Sequence, residues 1–346
     1  MALFGRNKTT VGLDIGSGLI KVAVIDHSKR EPELIRVAVA PLLADAIVEG
    51  EVMDPGIVAD AIQAALGDAG VTAKEVVTAV GGRDVIIKKI SIERVKEQQA
   101  RELMRWEAEQ HVPFDMESVE LDFQILDPDG DGVEMAVLLV AAKRELVESK
   151  ARVLTDAGLT PAIVDVEAFA LHNAFELNHP NAMSGVVGLL NIGHDVTNIN
   201  ILDEGVPLLT RDLTVGTRRV REDLQRERGL SAEAAQALIQ GFDRSPHLDS
   251  VIETRGEEIA VGVERAAAFL AQNSRAGALR ALYTCGGGSR IPGLNDMLAA
   301  RLRIKVSQAN PLANLKVRDG ALESLVTDEI APLLMLPIGL ALRQVA

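Results

Sequence analysis

Two short stretches of this chain carry the residue types that handle phosphate. Asp14-Ile15-Gly16-Ser17-Gly18 ends an apolar run, and Asn191-Ile192-Gly193-His194-Asp195 ends another. Glycines at 16 and 18 remove side chains, so backbone amides can approach an anion, and Ser17 adds a hydroxyl donor. Lys21 adds positive charge if the following strand points it inward. Asp14, closing a buried strand, is placed to hold a hydrated Mg²⁺ beside phosphate, because hard oxygen ligands and retained waters suit that ion. One strand-Asp-x-Gly turn alone reads more simply as a hairpin. Two in register change the weighting. A shift of 177 positions lays Ile192 under Ile15, Gly193 under Gly16 and Asp203 under Asp26, the sign of a duplicated unit whose halves face each other across a cleft.

Further candidates lie elsewhere. In Leu282-Tyr283-Thr284-Cys285-Gly286-Gly287-Gly288-Ser289 a strand feeds three glycines and then a helical start, where backbone can lie flat against a base or ribose. Thr197, Ser289 and Glu233 complete the set of expected cofactor contacts. Glu167, next to Asp165, follows a strand at 162–166. Its carboxylate has two readings of equal weight, a base that deprotonates water near a terminal phosphate or an acid favoured by a helix N-terminus. His194 reads as an exposed loop histidine and Cys285 as a small buried hydrophobe.

The elements that must position these residues alternate strands and helices. Residues 11–14, 20–24 and 34–40 read as strands, 54–70 as a helix with Val58, Ile62 and Leu66 at four-residue spacing, and 76–80 as a strand. Residues 83–165 have another texture: a strand at 85–92, a charged helix at 95–111, strands at 121–126 and 135–142, a helix at 145–158 and a strand at 161–166. They are expected to form a small α/β module inserted into the first of two lobes. The lobes are expected at 1–185 and 186–346, with a C-terminal helix near 330–343 as a candidate to return to the first.

Composition narrows the function classes. With 346 residues, 47% hydrophobic and 3% aromatic, the packing falls to Val, Leu, Ile and Ala, as in sheets flanked by Ala-rich helices. A formal charge of −14 repels nucleic acid and anionic lipid at long range. One cysteine excludes an internal disulfide, and residues 1–10 lack a signal-peptide core. The apolar stretch 330–342 is too short to span a bilayer and contains Pro332 and Pro337.

Taken together, these motifs resemble the actin/Hsp70/hexokinase superfamily, and specifically the PilM family of type IV pilus assembly proteins, related to FtsA. The resemblance runs from Phe4 through Gly12-Leu13-Asp14-Ile15-Gly16-Ser17, Val112-Pro113-Phe114-Asp115, Ala141-Ala142-Lys143, Gly158-Leu159-Thr160-Pro161 and Val164-Asp165-Val166-Glu167. It continues through 286–294 to Ile338-Gly339-Leu340-Ala341-Leu342-Arg343. It implies an actin-like α/β fold of two duplicated lobes with RNase H-like subdomains and an FtsA-like insert. It also implies ATP or ADP with Mg²⁺ as cofactors, and a cytoplasmic site on the inner face of the inner membrane. The implied partner is the cytoplasmic N-terminal tail of PilN, in a groove at the insert, with PilO and the pilus motor reached indirectly and self-association into filaments left open.

Two positions depart from the family pattern. Asn191 stands where the second turn usually opens with Asp, which removes a charge that helps organise Mg²⁺ and attacking water. Gln236 and Ile239 stand where relatives carry Glu and Lys toward adenosine. The expectation is therefore an adaptor with slow or absent hydrolysis. Its competitors are an active ATPase or small-molecule kinase with Glu167 as base, and a scaffold independent of nucleotide.

Overall fold

The computed structural model describes residues 9–345 apart from 244, 274–275 and 324. The first residues of the resemblance, from Phe4 to residue 8, lie outside the described residues. Strands β1 (Thr9–Ile15), β2 (Leu19–Asp26) and β3 (Glu33–Pro41) form an antiparallel meander. β1 is apolar and buried almost throughout, as a strand covered on both faces must be. A short hairpin of β4 (Ile47–Val48) and β5 (Glu51–Val52) leads to α1 (Pro55–Asp68). Asp54 caps α1, its Oδ1 accepting from the Ile57 N–H at 3.1 Å, and Val58, Ile62 and Leu66 face inward as their spacing predicts.

β6 (Glu75–Val80) then runs parallel to β1. β7 (Val85–Glu93), α2 (Glu97–Glu109), β8 (Val119–Ile125) and β9 (Glu134–Lys143) follow, with the three strands forming their own antiparallel sheet in the order β7-β9-β8. α3 (Arg144–Asp156) and β10 (Thr160–Val166) return to the first sheet, where β10 pairs in parallel with β6. The separate sheet thus ends at Lys143, short of the 165 expected from texture. The texture was misleading because β10 is an edge strand and does not show the apolar run of β1. α4 (Glu167–Asn178) closes this half.

The second half repeats the plan. β11 (Val186–Ile192), β12 (Thr197–Asp203) and β13 (Val206–Leu213) form a meander, followed by α5 (Thr217–Arg228), α6 (Ala232–Ile239) and α7 (Pro246–Asn273). β14 (Ala281–Cys285), α8 (Leu294–Leu302) and β15 (Lys305–Gln308) complete the sheet. Its order, β13-β12-β11-β14-β15, matches β3-β2-β1-β6-β10 strand for strand, with two antiparallel pairings and then two parallel ones in each.

The end of the chain crosses back. β16 (Lys316–Val317) pairs with β3, and after α9 (Thr327–Ile330) the helix α10 (Met335–Ala341) packs on α4, β1 and β2. α4 and α10 supply a core shared by both sheets: Ala170, Leu171 and Phe175 meet Ile338, Leu340, Val77, Leu189 and Leu202. The outer faces are covered separately, by α1 and α3 on the first sheet and by α5 to α8 on the second.

Candidate functional site

Each sheet ends in a hairpin turn between its first two strands, and a cross-strand pair sits at the base of each turn. In the first sheet Asp14 lies opposite Lys21, and Lys21 Nζ donates to Asp14 Oδ2. Asp14 is 8% exposed, so this is an ion pair largely removed from water. Gly16, Ser17 and Gly18 are partly exposed at the turn itself, where the Gly16 N–H donates to Leu19 O at 3.2 Å.

The same shift of 177 carries Asp14 and Lys21 onto Asn191 and Asn198, which also lie opposite each other. Here the pair is two amides: Asn191 Nδ2 donates to Asn198 Oδ1 at 3.2 Å, and Asn198 Nδ2 donates to Asp212 Oδ1 at 2.8 Å. A charge missing at 191 therefore reappears two strands away, at the end of an amide relay. Burial pushes the Asp212 carboxyl above its usual range, with the Asn198 hydrogen bond opposing.

Glu167, the first residue of α4, is within electrostatic reach of both groups. It is partly open to solvent but ringed by protein, and burial pushes its carboxyl up to about 7; Asp14 and Asp212 add to the rise while Lys150 opposes it. Lys150, on α3, is shifted down by burial, with Glu167 and Asp14 as the opposing charges. Asp14, Lys21, Lys150, Glu167 and Asp212 thus occupy one electrostatic neighbourhood. Gly81 leaves room for it, since a Cβ there would lie 2.4 Å from Glu167 Oε2. Asp165, by contrast, turns away: its Oδ1 accepts from the Val166 N–H at 2.8 Å and its Oδ2 pairs with Arg343 Nε at 3.3 Å.

Sequence reasoning did not single out Lys150 or Asp212. Lys150 shares a stripe with Leu146, Val153, Leu154 and Ala157, spacings that mark an inward helix face. A lysine on that stripe was the available signal.

Several expected contacts have other employment. Thr197 is fully buried and its hydroxyl donates to Val215 O at 2.6 Å. Ser289 is buried, donates to Gly286 O at 2.8 Å and receives Gln308 Nε2 at 3.0 Å, so it braces the glycine segment from within. Gly288 serves packing, for a Cβ there would lie 2.1 Å from Ile192 Cγ2, and the Gly286 N–H is taken by Pro332 O at 2.8 Å. Gly287 remains partly exposed. Glu233 is exposed in the first turn of α6, where its backbone and Ser231 hold the carboxyl below its usual range. Ile239 is in the core of the second half. His194 is not an exposed loop residue but packs between Gly18 and Thr217, with Nδ1 3.2 Å from Thr217 Oγ1.

Cys285 is buried, its thiol pushed up to about 12, and its Sγ lies 3.8 Å from Asn191 Oδ1. A thiol so placed should leave Ellman's reagent unreacted at pH 8 in the native protein and react fully once denatured. Stoichiometric labelling of the native chain within minutes would contradict the packing.

The donor set suits a polyphosphate with a hydrated divalent cation. Lys21, Lys150 and the Ser17 hydroxyl are donors suited to phosphate oxygens, and carboxylates provide hard ligands. No three His, Cys, Asp or Glu among the described residues are close enough to chelate a metal directly, so such a cation would be held through its own waters.

Two sheets that share one five-strand order, the first extended by β16, with hairpin turns in contact and a shared helical core, define an actin-like fold. The chain belongs to the PilM family of type IV pilus assembly proteins, whose sequence profile matches residues 12–345. A protein in the structure of the "PilM-PilN type IV pilus biogenesis complex" is similar over 99% of this chain and 100% of that one, at 29% identity and a TM-score of 0.85. Fold likeness extends to the ethanolamine utilization protein EutJ from Carboxydothermus hydrogenoformans (19% identity, 97% and 92% of the two chains, TM-score 0.57). It also extends to MreB 5 of Spiroplasma citri bound to AMPPNP (11%, 97% and 95%, 0.53). No helix among the described residues is long and apolar enough to cross a membrane.

Proposed function

We propose that this chain is a nucleotide-binding adaptor of the type IV pilus assembly machinery, in which two lobes, 1–185 and 186–346, close on ATP or ADP with Mg²⁺. The observation that carries the reading is the Asp14–Lys21 pair in one half and the Asn191–Asn198–Asp212 relay in the other, both within electrostatic reach of Glu167. In this reading Gly16, Ser17, Gly18 and Lys21 hold phosphate from one side, and Asn191 and Gly193 from the other. Asp14 holds the cation through water, and Gly286, Gly287 and Glu233 lie toward the nucleoside. The bound nucleotide chiefly supplies charge that Lys21 and Lys150 neutralise, drawing the two turns together. Only differential affinity for a closed state would let it change the surface offered to a partner.

The partner in this reading is a PilN-type protein, as in the similar complex, and the segment it offers is its cytoplasmic N-terminal tail, as the family resemblance implies. In the same reading the chain works at the cytoplasmic face of the inner membrane, with PilO and the motor reached through the complex. Calorimetric titration with ATP and ADP, with and without Mg²⁺, tests the nucleotide half. Asp14→Asn should weaken Mg²⁺-dependent binding about tenfold or more, because a charge-assisted contact is lost. Unchanged affinity in a folded variant would remove Asp14 from the site. Saturable 1:1 binding of the PilN tail tests the adaptor half, and absence of binding in every nucleotide state would sink it.

A further inference from the structure

A second polar contact joins the two halves, away from the Asp14 neighbourhood. The segment 42–54 between β3 and α1 passes through left-handed backbone at two non-glycine residues, Asp45 (φ 64°) and Glu49 (φ 50°). Left-handed backbone at a non-glycine residue is held by its surroundings. The β4–β5 hairpin and the bonds to Ala46 O hold the segment from within, and the second half adds two contacts. Arg218 Nη1 donates to Asp45 Oδ1 at 3.0 Å, and the Glu49 N–H donates to Asp195 Oδ2 at 3.2 Å. Arg218 Nε in turn lies 2.9 Å from Asp195 Oδ1, an ion pair in which the Asp195 side chain is only 6% exposed.

Arg218 is also anchored at its backbone. Its N–H donates to His194 O at 2.8 Å, and the Thr217 N–H donates to Gly193 O at 3.0 Å, so the start of α5 and the second glycine turn move as one piece. At the same place a Cβ on Gly18 would lie 2.9 Å from the His194 ring. The two glycine turns therefore touch where the ion pair closes.

We propose that Arg218 and Asp195, gripping the Asp45 carboxylate and the Glu49 N–H, form a clasp that holds the two glycine turns together, with both residues acting as positioning residues for a phosphate-bearing ligand between them. The ligand part rests on the function proposed above; the clasp itself does not. Separation of the halves has to break a largely desolvated ion pair and release the Asp45 side chain and the Glu49 N–H from their partners in the second half.

The test measures separation without any nucleotide. Exposed Asp60 on α1 and Asp249 on α7 are replaced by Asp60→Cys and Asp249→Cys for spin labels, with buried Cys285 left in place as an unreactive thiol. Arg218→Ala alone would strand a buried carboxylate and threaten folding. Arg218→Met with Asp195→Asn removes both charges at similar volume. In the full chain this double variant should raise the population at longer label distance about tenfold, equivalent to about 1.4 kcal/mol. Asp45→Ala, a change at an exposed side chain, serves if the double variant does not fold, and should raise the same population two- to threefold. Distance distributions identical to the parent in folded variants would overturn the clasp. If the longer population grows while neither parent nor variant binds Mg²⁺-ATP in calorimetry, the clasp stands and the nucleotide reading falls.

Discussion

Gly339→Ala is expected to cost the fold about 3–5 kcal/mol, in the range reserved for core overpacking that cannot relax. A Cβ at 339 would lie 1.7 Å from Ala170 O and 2.5 Å from its carbonyl carbon, backbone atoms inside α4 that cannot swing aside. Retreat in the other direction is blocked as well, because α10 already lies on β1. A Cβ on Gly12 would meet Pro337 O at 2.1 Å. α10 is thus fitted between a helix and a strand through two glycines, and the core it fills is the one that both sheets share. Displacing it should loosen the halves together, giving a single cooperative loss visible by circular dichroism on heating. Gly67→Ala is the control: Gly67 is an exposed residue of α1 with nothing within 4 Å of its Cβ position. The same chemistry there should stabilise by about 0.5–1 kcal/mol. A Gly339→Ala protein melting within a degree or two of the parent would mean that α10 does not dock as described.

The duplication was legible because strand, turn and return strand occupy equal lengths in both halves, so one shift aligns Asp14 with Asn191 and Lys21 with Asn198. The α10 docking was only half legible. A short apolar helix was visible at the end of the chain, but the reason it carries Gly339 lies in Ala170, 169 positions earlier. In the glycine segment the residue type has a structural reason that sequence does not show: a Cβ on Gly288 would meet Ile192, and one on Gly286, at φ 76°, would meet Asn191 Oδ1 at 2.5 Å. The internal partners of the Thr197 and Ser289 hydroxyls were hidden for a related reason, since a hydroxyl's type is visible in sequence and its hydrogen-bond partner is not. Asp212 was invisible for want of register. Only the pairing of β12 with β13 places it beside Asn198 and gives the second half its missing carboxylate.

Glu167→Gln separates the two readings of the acid that opens α4. A carboxylate held mainly by a helix N-terminus would be stabilised in its charged form and pulled below its usual range. Burial instead pushes Glu167 up to about 7, which suits a base that must accept a proton near neutrality. Whatever ATP turnover the parent shows should fall about 10²- to 10⁴-fold in the Gln variant, as for removal of a general base. ATP affinity should change by no more than about threefold if the role is confined to the transition state. Parent turnover should rise with pH and level off above about 7. A stability measurement checks the same proton without any chemistry. Between the unfolded value of 4.5 and about 7 the folded chain keeps a proton that the unfolded chain has released, so this stabilisation is complete below 4.5 and is lost as pH rises through 7. The Gln variant cannot ionise and escapes that loss. Its stability relative to the parent should therefore climb between those pH values by on the order of 2 kcal/mol and then flatten, the figure being reduced for partial solvent contact. Flat relative stability in urea titrations from pH 4.5 to 8, with turnover intact, would return Glu167 to the role of a helix-opening acid and leave the adaptor without a base.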